Sequence, residues 1–452
     1  MRENSIPEKR RPRYRPTGAA APFRKEVALL WDESFLWGLM AFKALQSAHF
    51  PFDLIRSERI MNGGLEGYKV LLVPGGWASN KLKSLGEGGL GAVQRFVNTG
   101  GHYVGFCGGA GLATLDGIGL LKVKRKPTEL RVPSFSGRIV LSLSESPLWF
   151  GVHDPIFQAW WPSQFVLEDA GIKVLATYGE ALPDSFSSDL NVGDTGKDGN
   201  WSELENLYRI NLNPERLLND PAVIEGSYGK GKAILSLVHF DTPDDRDGST
   251  VLGNIWEYLG VQNREDAPDE GEKRAGGQGL EDDTARLVSE LFGRCAELIA
   301  LGTRNFLWFW RNPLLLQWRR GIRGLEYCTL YTLMKEIEGM MKDRVGSPTR
   351  DDRADTAGGS SFFLRDRVIR LKESLVPFTE KAKRLLILER QAMQRGYITY
   401  EKCDDPVIRG IRTELFSTSK SHGGLFKTVI DEVDALLYTL LLHGPAHSSL
   451  KK

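Results

Sequence analysis

FVNTGGHYVGFCGGAGLAT, residues Phe96 to Thr114, decides how this chain folds. It opens on the end of a helical pattern closed by a glycine pair. The apolar run Tyr103-Val104-Gly105-Phe106 reads as a strand, and Cys107 follows it directly. Gly108, Gly109, Ala110 and Gly111 come next. A strand that turns abruptly into a helix holds its turn residue in a strained backbone state, so only small neighbours fit. The turn also lifts that residue's side chain to the carboxyl end of the strand, above free N–H groups that favour an anion. The plainer alternative is a small buried thiol that happens to sit on a glycine turn.

The flanking segments agree with a strand–turn–helix reading. Glu26 to Trp31 (EVALLW) is a continuous apolar strand of the kind buried on both faces. A helical pattern follows it, and then a strand at Phe52 to Ile55. Tyr68 to Gly76 (YKVLLVPGG) is a third strand ending in a proline–glycine turn. The β-α-β-β-α-β rhythm predicts a doubly wound, mostly parallel, flavodoxin-like sheet. Further on, GRIVLSL, IKVLATY, AVIEGSY and KAILSLVHF read as shorter, antiparallel strands. Pro183 to Glu203 reads as a flexible loop between two of them.

At 452 residues the chain exceeds one ordinary core. Its 59 basic and 58 acidic side chains leave no global pull toward nucleic acid. The longest apolar run, Ala435 to Leu442, falls short of the roughly 18 residues of a membrane span. The N-terminus carries charge and proline without an apolar core, unlike a secretory signal. The four cysteines, Cys107, Cys295, Cys328 and Cys403, are too scattered for a zinc site. A cytoplasmic chain with reduced thiols, no metal and no cofactor is expected.

Composition divides the chain into a disordered tail (1–23), an α/β domain (24–261), a linker (262–284) and an all-α domain (285–443). A disordered loop is expected at 345–361. The last domain shows helical spacing in Val288, Leu291, Phe292, Cys295, Leu298 and Ile299. Four or five helices are predicted, packed as a bundle or as a hairpin pair. Asn305 to Gly324 mixes Trp308, Trp310 and Trp318 with Arg311, Arg319, Arg320 and Arg323. That stretch suits a helix–helix seam with an arginine rim, or less well a membrane-surface helix.

A nucleophilic thiol needs a base. His239 leaves the end of the apolar strand in YGKGKAILSLVHFD, and Asp241, two residues on, can orient its ring. Asp244, Asp245 and Asp247 are alternatives for that orienting role. N–H groups of Gly108 and of the pair Gly75-Gly76 are candidates for an oxyanion hole.

At these residues the first half of the chain resembles a class I glutamine amidotransferase-like domain, of the type at the N-terminus of eukaryotic biotin–protein ligases. The likeness rests on FVNTGGHYVGFCGGAGLAT, LLVPGG and YGKGKAILSLVHFD, and spans roughly Arg24 to Val261. It implies Cys107 as nucleophile, His239 as base and Asp241 as third member, where the family has glutamate. Phe240 stands where the family has proline. No ligase or synthetase half accompanies the domain. Trp77, Trp160 and Trp161 are candidate pocket walls. Asp32 and Glu33, at the carboxyl edge of the first strand, are either site acids or N-cap acids. Three functions follow: a Cys-dependent amide hydrolase or amidotransferase acting on a small-molecule amide or acyl substrate; a catalytically silent binding module; or a membrane-surface scaffold. The helical half offers a surface for a protein partner.

Overall fold

The computed structural model describes residues 26–261, 278–346, 357–396, 398–399, 403–418 and 421–443. The expected tail at 1–23 lies outside them, as do 262–277 and 347–356. Helix occupies 278–284, 345–346 and 357–361, parts of the expected linker and loop.

The first block alternates β1 (Val27–Leu30), α1 (Phe35–Ser47), β2 (Asp53–Ile55), α2 (Ser57–Met61), β3 (Val70–Val73), α3 (Ala78–Asn98), β4 (His102–Phe106) and α4 (Gly108–Leu112). The second block begins with β5 (Val123–Arg125), β6 (Phe135–Leu143), β7 (Ile156–Trp160), β8 (Phe165–Leu167) and β9 (Lys173–Ala181). It continues through β10 (Phe186–Ser187), β11 (Leu190–Asn191), α5 (Val192–Asp198), α6 (Trp201–Tyr208), β12 (Pro221–Tyr228), β13 (Gly231–Ser236) and α7 (Arg246–Tyr258). Eleven strands form one sheet in the order β11-β10-β6-β9-β12-β13-β4-β3-β1-β2, with β7 against β6. The five strands from β13 to β2 run parallel, and the rest pair antiparallel. Every residue of β1 and β3 is buried, as expected for strands covered on both faces. The chain leaves β1 for β2 on one side and returns to β3 on the other. The carboxyl ends of β1, β3, β4 and β13 therefore gather at a topological switch point, where such sheets bind ligands.

The remaining residues form α8 (Gln278–Arg304), β14 (Trp308–Asn312), β15 (Leu315–Trp318), α9 (Gly324–Gly346), α10 (Ala357–Arg395), α11 (Pro406–Phe416) and α12 (Gly424–His443). The region is helical except for one hairpin. That hairpin replaces the expected helical seam at Asn305 to Gly324: Trp308 pairs with Trp318 across an antiparallel ladder. The backbone of β14 (WFWRN) is paired with β15 from Trp308 to Asn312, which a helix cannot do. An interfacial amphipathic helix is excluded for the same reason. No described helix is long and apolar enough to cross a membrane.

The two halves share a continuous buried core and meet through polar contacts as well. Arg311 Nη1 of the hairpin donates to Ser136 Oγ at 2.9 Å, and Gln317 Nε2 donates to the Ser188 carbonyl at 2.9 Å. From α12, Asp434 pairs with Arg56 and Lys427 with Glu33, each at 3.0 Å. The expected loop Pro183 to Glu203 is ordered instead. It adds β10 and β11 to the sheet edge, which satisfies its backbone groups there and gives the hairpin a surface to dock on.

Candidate active site at the Cys107 turn

Cys107 sits between β4 and α4 with φ 48° and ψ −106°, a backbone state that L-residues rarely adopt. Three contacts hold it there. Its N–H donates to the Ser236 carbonyl of β13 at 2.8 Å. The Gly111 N–H donates to its carbonyl at 2.9 Å. The Tyr103 hydroxyl, buried within β4, donates to the Gly109 carbonyl at 2.6 Å. Backbone strain of this size costs about 1–3 kcal/mol and persists only where its surroundings impose it.

The turn is pressed against the end of β3. A Cβ on Gly108 would overlap the carbonyl oxygen of Gly76, so no larger residue fits. Gly76 has φ +113°, and a Cβ there would lie 2.5 Å from the Glu33 carbonyl oxygen. The two glycines therefore bring three strand ends into contact. No hydrogen bond among the described residues engages the N–H of Gly76 or of Gly108. Gly75 lies against the imidazole, since a Cβ on it would be 3.1 Å from His239 Cε1.

His239 is fully buried, and so is Asp241 beside it. Nδ1 of the imidazole and Oδ1 of Asp241 are 2.8 Å apart. The His239 N–H donates to the Gln158 carbonyl at 2.8 Å, fixing the segment against β7. Nε2 has no hydrogen-bond partner. Burial pushes the imidazole toward its neutral form. The charge and hydrogen bond of Asp241, with a contribution from Cys107, outweigh that and raise its pKa to about 10. Phe240, between the two, packs edge-on against Phe106 and Phe157 in the core. Two of the alternative acids are occupied elsewhere, and the third, Asp244, is exposed. Asp245 caps α7 through the Gly248 N–H, and Asp247 accepts from the N–H groups of His153 and Asp154.

Cys107 is half-buried, and its thiol donates to the Trp160 carbonyl at 3.7 Å. Trp160 is buried, whereas Trp77 is 38% exposed at the start of α3. Trp161, with φ 50°, stacks on Trp318 of β15 at 5.2 Å. Asp32 and Glu33 make no hydrogen bond to Cys107. Asp32 binds Arg56 and the Ser57 N–H, and Glu33 binds Asn80 and Lys427. Neither acid caps α1, whose N-cap residue is Ser34. The broad depressions over Ala181 to Gly196 and around Ser47 and Thr250 include neither Cys107 nor His239.

Three neighbours of the site carried no signal in the sequence. Trp37 reads as one more apolar residue of α1, yet it stacks on His239 at 5.2 Å. Trp318 lies 79 residues beyond His239 and reaches the site only through the hairpin. Lys81 looks like an ordinary surface lysine, and it is fully buried.

No family model matches this chain, and no curated protein matches it. Solved structures do. A glutamine amidotransferase is 20% identical, with the match covering 52% of this chain and 100% of that one, at a TM-score of 0.34. A putative GMP synthase component from Thermoplasma acidophilum is 11% identical, covering 53% and 94%, at 0.34. A β-galactosidase from Rahnella sp. R3 is 17% identical, covering 55% and 33%, at 0.36. This chain thus spans about a third of the length of that β-galactosidase. Likenesses at this level leave the chemistry to the residues themselves.

Proposed function

We propose that the chain is a Cys-dependent hydrolase or amidotransferase acting on a carboxamide or related acyl group. The observation that carries this reading is the strained, half-buried Cys107 next to an imidazole that Asp241 holds at 2.8 Å. The likeness of the Phe96 to Thr114 stretch to the N-terminal domain of biotin–protein ligases supports it. In the proposed reaction the Cys107 proton already resides on His239 Nε2, as the raised imidazole pKa favours, and Sγ bonds as a thiolate to the carbonyl carbon. The oxyanion faces the N–H groups of Gly108 and Gly76. Collapse of the tetrahedral adduct breaks the C–N bond, and the imidazolium gives its proton to the departing nitrogen. Water then cleaves the thioester, with His239 as base, and regenerates the thiol.

The test is ammonia release from L-glutamine and simple carboxamides. Release is expected to disappear in Cys107→Ala and to fall about a hundredfold or more in Asp241→Asn. Release that survives Cys107→Ala removes the mechanism.

A second reading, a silent binding module, is favoured by the hydrogen bond of the thiol to the Trp160 carbonyl at 3.7 Å. It predicts no release from any carboxamide, and a Cys107 that alkylates no faster than a free thiol.

A further inference from the structure

Lys81 is the feature of this site that neither reading uses. It projects from the first turn of α3 into the protein and is fully buried. Its ammonium donates to the Asp32 carbonyl at 3.1 Å and to Ser34 Oγ. Both acceptors are neutral. An ammonium has three protons to donate, so one remains without an acceptor among the described residues. Burying a charge without a counterion is strongly unfavourable.

The nearby carboxylates are committed to other cations. Asp32 and Asp434 share Arg56, while Glu33 pairs with Lys427, which also holds Asp431. Lys81 feels Glu33, Asp32, Asp434 and Cys107 through space, and none of them forms an ion pair with it. On its remaining side the lysine supports the oxyanion turn: a Cβ on Gly76 would lie 3.4 Å from Lys81 Cε, and Gly76 in turn abuts Gly108. The stem of this lysine therefore packs against Gly76, one of the two glycines proposed to meet the substrate's oxygen.

We infer that Lys81 is a positioning residue whose buried stem supports the Gly76 turn from behind and whose ammonium adds positive charge to the field at Cys107. The inference rests on the reading of Cys107 as the reactive group, and it extends that reading to what sets the thiol's reactivity. Burial holds the ammonium far below its ordinary range, to about 7, against the pull of Glu33, Asp32, Asp434 and Cys107. Its charge is thus complete in mild acid, about half present at pH 7 and lost above it. His239 and Arg131 are the other cations that Cys107 feels.

The probe is iodoacetamide, with alkylation of the Cys107 peptide followed by mass spectrometry in the full chain between pH 5 and 10. In Lys81→Met, alkylation at pH 7 is expected to slow about tenfold and its pH midpoint to rise. Lys81→Arg keeps the charge and is expected to stay nearer the native profile. A lysine that merely fills space would alter thermal stability and leave the alkylation profile where it was. That result overturns the inference. Should Lys81→Met not fold, Ser34→Ala decides. It strips one acceptor from the ammonium and should move the midpoint the same way by less; an unmoved midpoint again overturns the inference. The readout needs no amide turnover. Absent ammonia release alongside a shifted profile would sink the hydrolase reading alone.

Discussion

Two buried charge clusters, one in each half of this molecule, are arranged in opposite ways. In the helical half, Arg412 donates to Glu389 Oε1 at 2.7 Å and to the Gly321 carbonyl at 2.8 Å. Burial pushes Glu389 up to about 7 even against that arginine. The pair is closed, and nothing on either side is left for a ligand. In the α/β half, Lys81, His239 Nε2 and Asp241 Oδ2 are buried with unused hydrogen-bonding capacity, all around one thiol. The thiols differ in parallel. Burial pushes Cys295 and Cys328 up to about 12, whereas Cys107 is half-buried on strained backbone. The Arg412 pair is satisfied, while the groups around Cys107 keep unpaired atoms at some cost in stability.

That contrast can be broken by removing one member of each arrangement. Arg412→Met should cost most, about 3–5 kcal/mol by denaturant melting, because it strands a buried carboxyl. A smaller loss would mean Glu389 simply takes up a proton. Gly108→Ala should cost about 2–3 kcal/mol, through the overlap with the Gly76 carbonyl, and should abolish rapid Cys107 alkylation. Retained alkylation would show that the turn relaxes freely. Asp405→Ala, which removes the side chain accepting from the Val407 and Ile408 N–H groups, should cost about 1 kcal/mol and leave Cys107 untouched. Any change in alkylation would couple the halves more tightly than their contacts suggest.

The smallest effect is expected in the native chain as pH rises from 7 to 10. Folding raises His239 from 6.5 to about 10, so its stabilisation is complete below pH 6.5 and is lost as pH climbs through 10. Folding lowers Lys81 from 10.5 to about 7, so its penalty is complete below 7 and is relieved toward 10.5. The two slopes oppose each other, and Tm should change little. His239→Gln exposes the rising slope and Lys81→Met the falling one. Identical pH profiles for the two variants would contradict both shifts.

Much of the parallel block was legible in the sequence. VALL and VLLV are apolar throughout because both faces are covered, and the small residues after Cys107 leave room for little but a tight turn. The partners His239 and Asp241 could be singled out because they close a glycine-led strand two residues apart. The hairpin at Trp308 to Trp318 was not legible. An aromatic–arginine stretch has enough apolar surface for a helix or a strand, and only its ladder chooses between them.

Local order in the chain was thus enough to determine an α/β block with a displayed cysteine, followed by a helical region, since apolar period and backbone permissiveness are properties of neighbouring residues. Which groups surround that cysteine was decided only in three dimensions. Lys81, Trp37 and Trp318 come from α3, α1 and β15, and no spacing rule links them to Cys107 or His239. Their burial, and the fate of their charges and rings, depends on strand ends that meet only once the sheet has closed and α12 and the hairpin have packed against it.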